Sequence, residues 1–127
     1  MSSFGGPNDI GVSPSEGLAL FDETDVPNFK WLFLSNQPAG TSGVARRLNP
    51  SALYCAMRWD YSKTSKSFLR MNKVTVTSVR TGESVLAQPV DWGPNENTNR
   101  IIDLSPAILK TLQLNTNDVV RVTVSLP

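Results

Sequence analysis

Histidine is absent from this chain of 127 residues, and Cys55 is its only cysteine. These absences exclude Ser-His-Asp and Cys-His triads, histidine metal sites, cysteine metal clusters and an internal disulfide. We therefore expect neither a metal nor a cofactor, and a lone cysteine inside a strand is expected to be a small buried residue. Acid–base chemistry would fall mainly to carboxylates, with lysine, tyrosine or the cysteine as the remaining groups.

Long apolar runs are also lacking, so no segment is expected to cross a membrane. The opening "MSSFGGPNDIGVSPSEG" has neither the basic region nor the apolar core of a secretory signal peptide. Three interpretations remain: a cytoplasmic protein, release by lysis or a non-classical route, or a signal sequence that has been removed. The length fits one compact domain with a real core.

Basic residues are missing from the first 29 positions, which hold five of the eleven acidic residues, Asp9, Glu16, Asp22, Glu23 and Asp25. The rest of the chain carries all twelve Lys and Arg against six acids. A basic body favours an anionic partner; the alternative is that the acidic segment lies on the body. We interpret residues 1–28 as an irregular acidic arm, anchored by "GLALF" (17–21), and residues 29–127 as the folded domain.

Period-two alternation and short apolar runs predict strands. The candidates are "WLFLS" (31–35), "LYCAMRW" (53–59), "KVTVTSV" (73–79), "SVLAQPVD" (84–91) and "DVVRVTVSL" (118–126). The third and fourth are joined by "RTGE", where Gly82 can adopt a positive φ, so 73–91 is predicted to be a hairpin. One helix is predicted near 106–113, with Ser105 as its cap and Pro106 at its first position. About six short strands and one helix favour a small all-β barrel.

The stretch "PVDWGPNENTNRIIDLSP" (89–106) resembles the double-psi β-barrel of the rare lipoprotein A and expansin superfamily. The matching pieces are Asp91-Trp92-Gly93-Pro94, for the family's "D-x-G-P" turn, and "RIIDLS" (100–105), for its "G-R-I-I-D-L-S" segment. The resemblance covers about residues 44–126 in outline and is specific over 73–126. It implies a six-stranded double-psi barrel with one short inserted helix. The superfamily includes lytic transglycosylases, endoglucanases and non-hydrolytic wall-loosening proteins, so the implied partner is a polysaccharide or peptidoglycan.

The resemblance also implies the site residues. Asp103 is similar to the family's usual catalytic aspartate, and Asp91 to the aspartate before the Gly-Pro turn. The family's supporting glutamate and histidine fall here on Arg46 and Met57, so both supporting groups are missing. Asn99 replaces a family glycine, and asparagine tolerates the left-handed backbone region that such a turn uses.

The residues themselves leave two interpretations of these aspartates. Apolar surroundings keep a carboxyl group protonated for acid catalysis, and Asp103 stands between Ile102 and Leu104. Cleavage with water needs a second carboxylate, from Asp91, Glu96 or Asp60, whereas lytic cleavage can use one residue as both acid and base. The alternative is structural: Asp103 accepts N–H bonds at the helix start, and Asp91 opens a turn.

Aromatic residues accompany both candidate aspartates, as Trp59-Asp60 and Asp91-Trp92. Tryptophan faces near carboxylates suit sugar stacking, but tryptophan is often simply core. Arg100 completes the predicted substrate-binding set. The segment "RWDYSKTSKSFLR" (58–70) mixes basic and aromatic residues; it is either a surface that follows an anionic polymer or a solvated basic loop.

The sequence thus predicts a barrel that binds cell-wall glycan, in one form as a lytic transglycosylase-like enzyme. The alternative is a non-catalytic binding or assembly module, for example in a phage or a secreted particle. Another protein could bind the arm, and nucleic acid is not an expected partner.

Overall fold

The computed structural model describes residues 2–6, 9, 17–36 and 43–124. Glu16 of the acidic arm and residues 125–126 of the last predicted strand lie outside the described residues.

The described chain is mostly sheet, which confirms the all-β class. The strands are β1 (Ser2–Ser3), β2 (Tyr54–Met57), β3 (Val74–Ser78), β4 (Ser84–Trp92), β5 (Ile102–Leu104) and β6 (Val120–Thr123). Their order is β1-β5-β2-β4-β3-β6, and the five strands β2 to β6 curl into a half-barrel that β1 extends by only two residues. The β1–β5 and β2–β4 pairs are parallel and the others antiparallel.

Most of the predicted strands are present. The hairpin is confirmed as β3 and β4, and Gly82 in its connection has φ +76°. By contrast, "WLFLS" forms no strand, since Phe33 makes only an isolated bridge to Leu48. Its apolar residues are nevertheless buried, because Leu32 and Phe33 pack into the core. An apolar run therefore predicted burial correctly but secondary structure wrongly.

Within the part of the chain that the structure describes, two short helices accompany the sheet, α1 (Lys66–Met71) and α2 (Pro106–Thr111). Three 3₁₀ helices lie at Val26–Asn28, Val44–Arg47 and Glu96–Thr98. The prediction of α2 is confirmed, and Ser105 caps it by accepting the Ile108 N–H. The sequence interpretation missed α1, which Ser65 caps. Only Leu69 of α1 is buried, so this helix lacks the apolar periodicity that would reveal it.

The described residues of the arm pack against the folded body. Leu18, Leu20 and Phe21 belong to the main hydrophobic cluster, with Leu20 only 1% exposed. The expected docking of "GLALF" is therefore observed. The Leu20 N–H also donates to the Val90 carbonyl of β4. The arm supplies β1 on the edge of β5, where no regular structure was expected, because an open strand edge offers backbone groups that a neighbouring segment can satisfy.

Acidic residues contribute less to this docking than the charge pattern suggested. Glu23 pairs with Arg47 at 3.2 Å, and both side chains are substantially exposed. Asp25 and Asp22 bond within their own turn, where Asp25 accepts the Asp22 N–H and Asp22 accepts the Thr24 N–H. Exposed ion pairs stabilise proteins weakly. Apolar burial and backbone hydrogen bonds therefore dominate the contact between the described part of the arm and the body.

Candidate functional site

The two aspartates implied by the family resemblance lie in one row across the sheet. Ala56 of β2 is opposite Asp103 of β5 on one side and Asp91 of β4 on the other. Directly opposed residues of adjacent strands point to the same face. Because neighbouring strands lie about 4.8 Å apart, the Cα atoms of the two aspartates are separated by about 10 Å. We call Asp91, Ala56 and Asp103 the carboxylate row.

A β-bulge in β4 creates this row. Cys55 is opposite Pro89 but Ala56 is opposite Asp91, so Val90 is the extra residue of the bulged strand. Without it, Val90 would oppose Ala56, and Asp91 would point to the other face of the sheet. Val90 is instead fully buried, and Asp91 joins the face of Asp103.

Asp91 binds the arm through its carboxylate. Its Oδ1 accepts the backbone N–H groups of Ala19 and Trp92, both at 2.8 Å. Its backbone carbonyl accepts the indole N–H of Trp59 at 2.9 Å. The structural role anticipated for Asp91 is therefore present, and it reaches further than its own turn because Ala19 lies 72 residues away in sequence.

Asp103 is half-buried in the middle of β5, whereas Ile102 and Leu104 are fully buried. Successive side chains of a strand point to opposite faces. The prediction that these two neighbours provide apolar surroundings for Asp103 is therefore wrong. The cap of α2 is Ser105, two residues later, so Asp103 is not the residue that caps this helix.

The arm contacts the carboxylate row at Asp91 and covers the strand face next to it. Tyr54, two residues before Ala56 in β2, is fully buried and donates its hydroxyl to the Phe4 carbonyl at 2.6 Å. The Phe4 and Tyr54 rings meet edge to face, 5.1 Å apart. Gly5, with φ +89°, lies so close to the Tyr54 hydroxyl that a side chain there would clash. Phe4 and Gly5 therefore cover Tyr54, while Ala19 binds the Asp91 carboxylate of the row.

The two tryptophans have different roles. Trp59 is 8% exposed and belongs to the core, so the structural interpretation applies to it. Trp92 is 42% exposed, and its indole N–H donates to the Trp59 carbonyl at 3.2 Å. A pocket of about 430 Å³ is lined by Trp92, Gly93, Asn95, Glu96 and Asn97. Its lining combines an indole face with amide and carboxylate groups, but Asp91 and Asp103 are not part of it.

Arg58 holds the loop beyond this pocket, and sequence analysis did not select it for this role. Its guanidinium donates to the carbonyls of Pro94 and Arg100, both at 2.8 Å. Both acceptors are backbone atoms, so no side-chain pattern in the sequence marks the contact. Asn99 within this loop has φ 58° and ψ 17°, which confirms the left-handed conformation expected for it.

Like Trp59, the two other predicted binding residues, Asp60 and Arg100, lie outside the Trp92 pocket. Asp60 closes its own turn, where one carboxylate oxygen accepts the backbone N–H and hydroxyl of Ser62. These hydrogen bonds hold the pKa of Asp60 below its usual value. Arg100 donates to Asn117 at 2.8 Å and lines a separate pocket of about 190 Å³. Arg46 and Met57, which occupy the family's glutamate and histidine positions, lie in different elements. Arg46 is in a 3₁₀ helix, whereas Met57 is in β2 and pairs with Trp92 of β4 and Ile102 of β5.

Tyr61 is an aromatic residue that the predicted site omitted. Burial raises the pKa of Tyr61, and the negative charge of Asp91 raises it further. The ammonium group of Lys66 lies 5.4 Å from the centre of the Tyr61 ring. Tyr61 therefore contacts the first turn of α1.

Models of known protein families and the curated protein sequences contain no match to this chain. Within the described ranges, no helix has both the length and the apolar character required to span a bilayer. The same ranges contain no group of three or more His, Cys, Asp or Glu side chains placed to hold a metal ion.

Proposed function

We propose that this protein is a double-psi β-barrel of the rare lipoprotein A and expansin type that binds a peptidoglycan-like glycan. Asp103 is its candidate general acid and base for lytic cleavage. The observation that carries the proposal is the carboxylate row, since a bulge in β4 brings Asp91 onto the face of Asp103. The exposed Trp92 directly follows Asp91 at the end of β4. Asp91 and Trp92 belong to the segment that resembles the family's "D-x-G-P" turn, and Asp103 belongs to the segment that resembles its "G-R-I-I-D-L-S" motif.

Binding begins at the Trp92 pocket in this proposal. The exposed indole face stacks on a sugar ring, as aromatic surfaces do with flat apolar faces. Asn95 and Asn97 line the same pocket, and their side-chain amides can both donate and accept hydrogen bonds to hydroxyl groups. Arg58 keeps the supporting loop in place through two backbone carbonyls.

Lytic cleavage requires one carboxyl group. Protonated Asp103 donates its proton to the glycosidic oxygen as the bond to the anomeric carbon breaks. A hydroxyl group of the same sugar then attacks that carbon and gives its proton to the Asp103 carboxylate. The products are an anhydro-sugar and a free chain end, and Asp103 is protonated again. Because this reaction uses no second carboxylate, Asp91 can remain bound to the arm throughout.

The test is incubation with purified peptidoglycan and detection of anhydro-sugars by mass spectrometry. We expect Asp103→Asn to abolish product while its melting temperature stays close to wild type, because the amide keeps the shape but cannot supply the proton. Asp60→Asn is the matched control, since Asp60 is fully exposed and bonds only within its own turn, and it should retain activity. Unchanged turnover in Asp103→Asn would contradict the catalytic assignment.

Glycan binding is measured separately by titration calorimetry. We expect Trp92→Ala to weaken binding several-fold. Trp31→Ala is the control, because Trp31 is also exposed, at 46%, but does not line the pocket. Equal affinities for both variants and wild type would contradict Trp92 as the stacking residue.

The second candidate function is a non-catalytic glycan-binding or assembly module. It is favoured by the contacts of the arm, since Asp91 accepts the Ala19 N–H and β1 pairs with β5 beside Asp103. Under this alternative the wild-type protein yields no anhydro-sugar from any wall polymer, and Asp103→Asn lowers stability only. Glycan binding that depends on Trp92, without cleavage, would select this function over the first.

A further inference from the structure

A basic surface near the candidate site is formed by Lys63 and Lys66, together with the ring of Tyr61. Residues 61–82 contain no aspartate or glutamate, whereas they include Lys63, Lys66, Arg70, Lys73 and Arg80. The one acidic residue immediately before them, Asp60, has its carboxylate engaged by Ser62. Both lysines are exposed, and residues 60–82 carry five basic side chains against the single carboxylate of Asp60.

Local structure fixes the positions of these residues. The N–H groups of Lys63 and Thr64 donate to the Asp60 carbonyl, which forms the turn before α1. Ser65 then caps α1 by accepting the Phe68 N–H at 3.1 Å. In the first turn of α1, the Lys66 ammonium lies over the Tyr61 ring. This cation–π contact orients the ammonium group and leaves its N–H donors able to bind an anion.

The basic surface is linked to the Trp92 pocket by hydrogen bonds. The Trp92 indole donates to the Trp59 carbonyl, and the Trp59 indole donates to the Asp91 carbonyl. These two contacts join the start of the 59–66 segment to the end of β4. Tyr61 and Trp92 are both exposed, at 36% and 42%, and extend from these two joined segments. A chain polymer that stacks on Trp92 can therefore continue towards the lysines.

We propose that Tyr61, Lys63 and Lys66 form a subsite for an anionic group of the bound polymer, so that the ligand is an acidic polysaccharide rather than a neutral one. The inference rests on the proposed glycan-binding function and adds the charge of the substrate to it. Lys63 and Lys66 bind carboxylate groups of the polymer, and Tyr61 provides a second aromatic surface next to them.

The experiment uses solubilised peptidoglycan fragments and the same fragments after their carboxyl groups have been converted to amides. Affinities are measured by titration calorimetry at low and high salt. We expect wild-type protein to bind the untreated fragments about threefold to tenfold more tightly at low salt, as expected for two exposed ion pairs. The preference should diminish at high salt because exposed charges are screened.

Substitutions test whether the preference for untreated fragments depends on Lys63 and Lys66. The double substitution Lys63→Gln and Lys66→Gln should remove most of the preference, while Lys110→Gln on α2 should keep it. All of these side chains are exposed, so melting temperatures should change little. A preference that survives in the double variant would overturn this subsite. Tighter binding of a single-stranded oligonucleotide than of the fragments would contradict the proposal that the ligand is an acidic polysaccharide.

Failure of the inference is distinguishable from failure of the proposed function. Equal affinity for untreated and amidated fragments, with both weakened by Trp92→Ala, would reject the acidic subsite and retain glycan binding. Absence of binding to either preparation would reject the proposed function and this inference together.

Discussion

The carboxylate row and the surface around Trp92 both lie near the end of β4, but they are built differently. Asp91 and Asp103 are half-buried within strands, and Asp91 is bound to backbone groups of the arm and of β4. Trp92 is the last residue of β4, Lys63 lies in a turn and Lys66 begins α1, and all three side chains are exposed. Sheet register sets the positions of the side chains in the first region, whereas the end of a strand, a turn and a helix cap set those in the second.

This difference separates two kinds of mutational effect. Substitutions at the row and at the arm that contacts it disturb buried contacts and backbone hydrogen bonds, so they should lower the free energy of unfolding. Substitutions on the exposed surface should change ligand binding while stability stays nearly constant. The four predictions that follow test this separation.

The largest effect is expected from Leu20→Ala in the arm. Leu20 is 1% exposed within the main core cluster, and removal of a fully buried leucine side chain costs about 2–5 kcal/mol. Leu86→Ala is the control, since Leu86 lies on β4 but is 56% exposed. The measurement is urea unfolding of both variants. Similar losses of unfolding free energy in the two variants would show that the arm does not contribute to the core as the structure indicates.

The second prediction compares two aspartates that each adjoin a tryptophan. Asp91→Ala removes the acceptor of the Ala19 and Trp92 N–H groups and should lower stability by about 1–3 kcal/mol. Asp60→Ala removes only local contacts to Ser62 at a fully exposed site, so its effect should be smaller. Urea unfolding decides between them, and a larger loss for Asp60→Ala would contradict the assignment of Asp91 as the arm anchor.

The third prediction concerns the backbone of the loop after Trp92, where a residue contributes to stability through its conformation and not through ligand contacts. Asn99 has φ 58°, and a left-handed backbone costs a residue with an ordinary β-carbon about 1–2 kcal/mol. Asn99→Ala should therefore destabilise the protein by about 1 kcal/mol, whereas Asn99→Gly should be close to neutral. If thermal unfolding shows alanine to be tolerated as well as glycine, the loop conformation does not depend on this residue.

The smallest effect is a loss of stability at alkaline pH. Burial raises the pKa of the Cys55 thiol and of the Tyr54 hydroxyl above their ordinary values of 9.0 and 10.0. Above about pH 9 the unfolded chain loses protons that the folded chain keeps, so stability falls as pH rises. The loss due to Cys55 should stay below about 1 kcal/mol at pH 9.5.

Cys55→Ala tests this assignment through the pH dependence of unfolding. The variant should be less stable than wild type at neutral pH, because a buried side chain is shortened, but its stability should fall less steeply between pH 8 and 9.5. An unchanged slope would show that ionisation of Cys55 in the unfolded chain does not contribute.

Several elements were predictable because their signals are local. The Val-Thr alternation of β3 matches the period of a half-buried strand, and Ser105-Pro106 marks the start of α2. Asn99 could be placed in the left-handed region from its residue type and position. α1 was missed because a six-residue helix with one buried side chain has no detectable apolar stripe. The closed six-stranded double-psi barrel remains a prediction beyond the half-barrel described here.

The sequence by itself determined the types of group available: carboxylates without histidine, a tryptophan next to each of two aspartates, and an acidic segment before a basic one. Only the tertiary structure decided which of these meet. Val90 as the extra residue of a bulge turns Asp91 towards the face of Asp103, and pairing with β2 places Ala56 between them. The same structure buries Trp59 and exposes Trp92, although both stand beside an aspartate. The physical reason is that register and burial depend on residues distant in sequence, which no local pattern encodes.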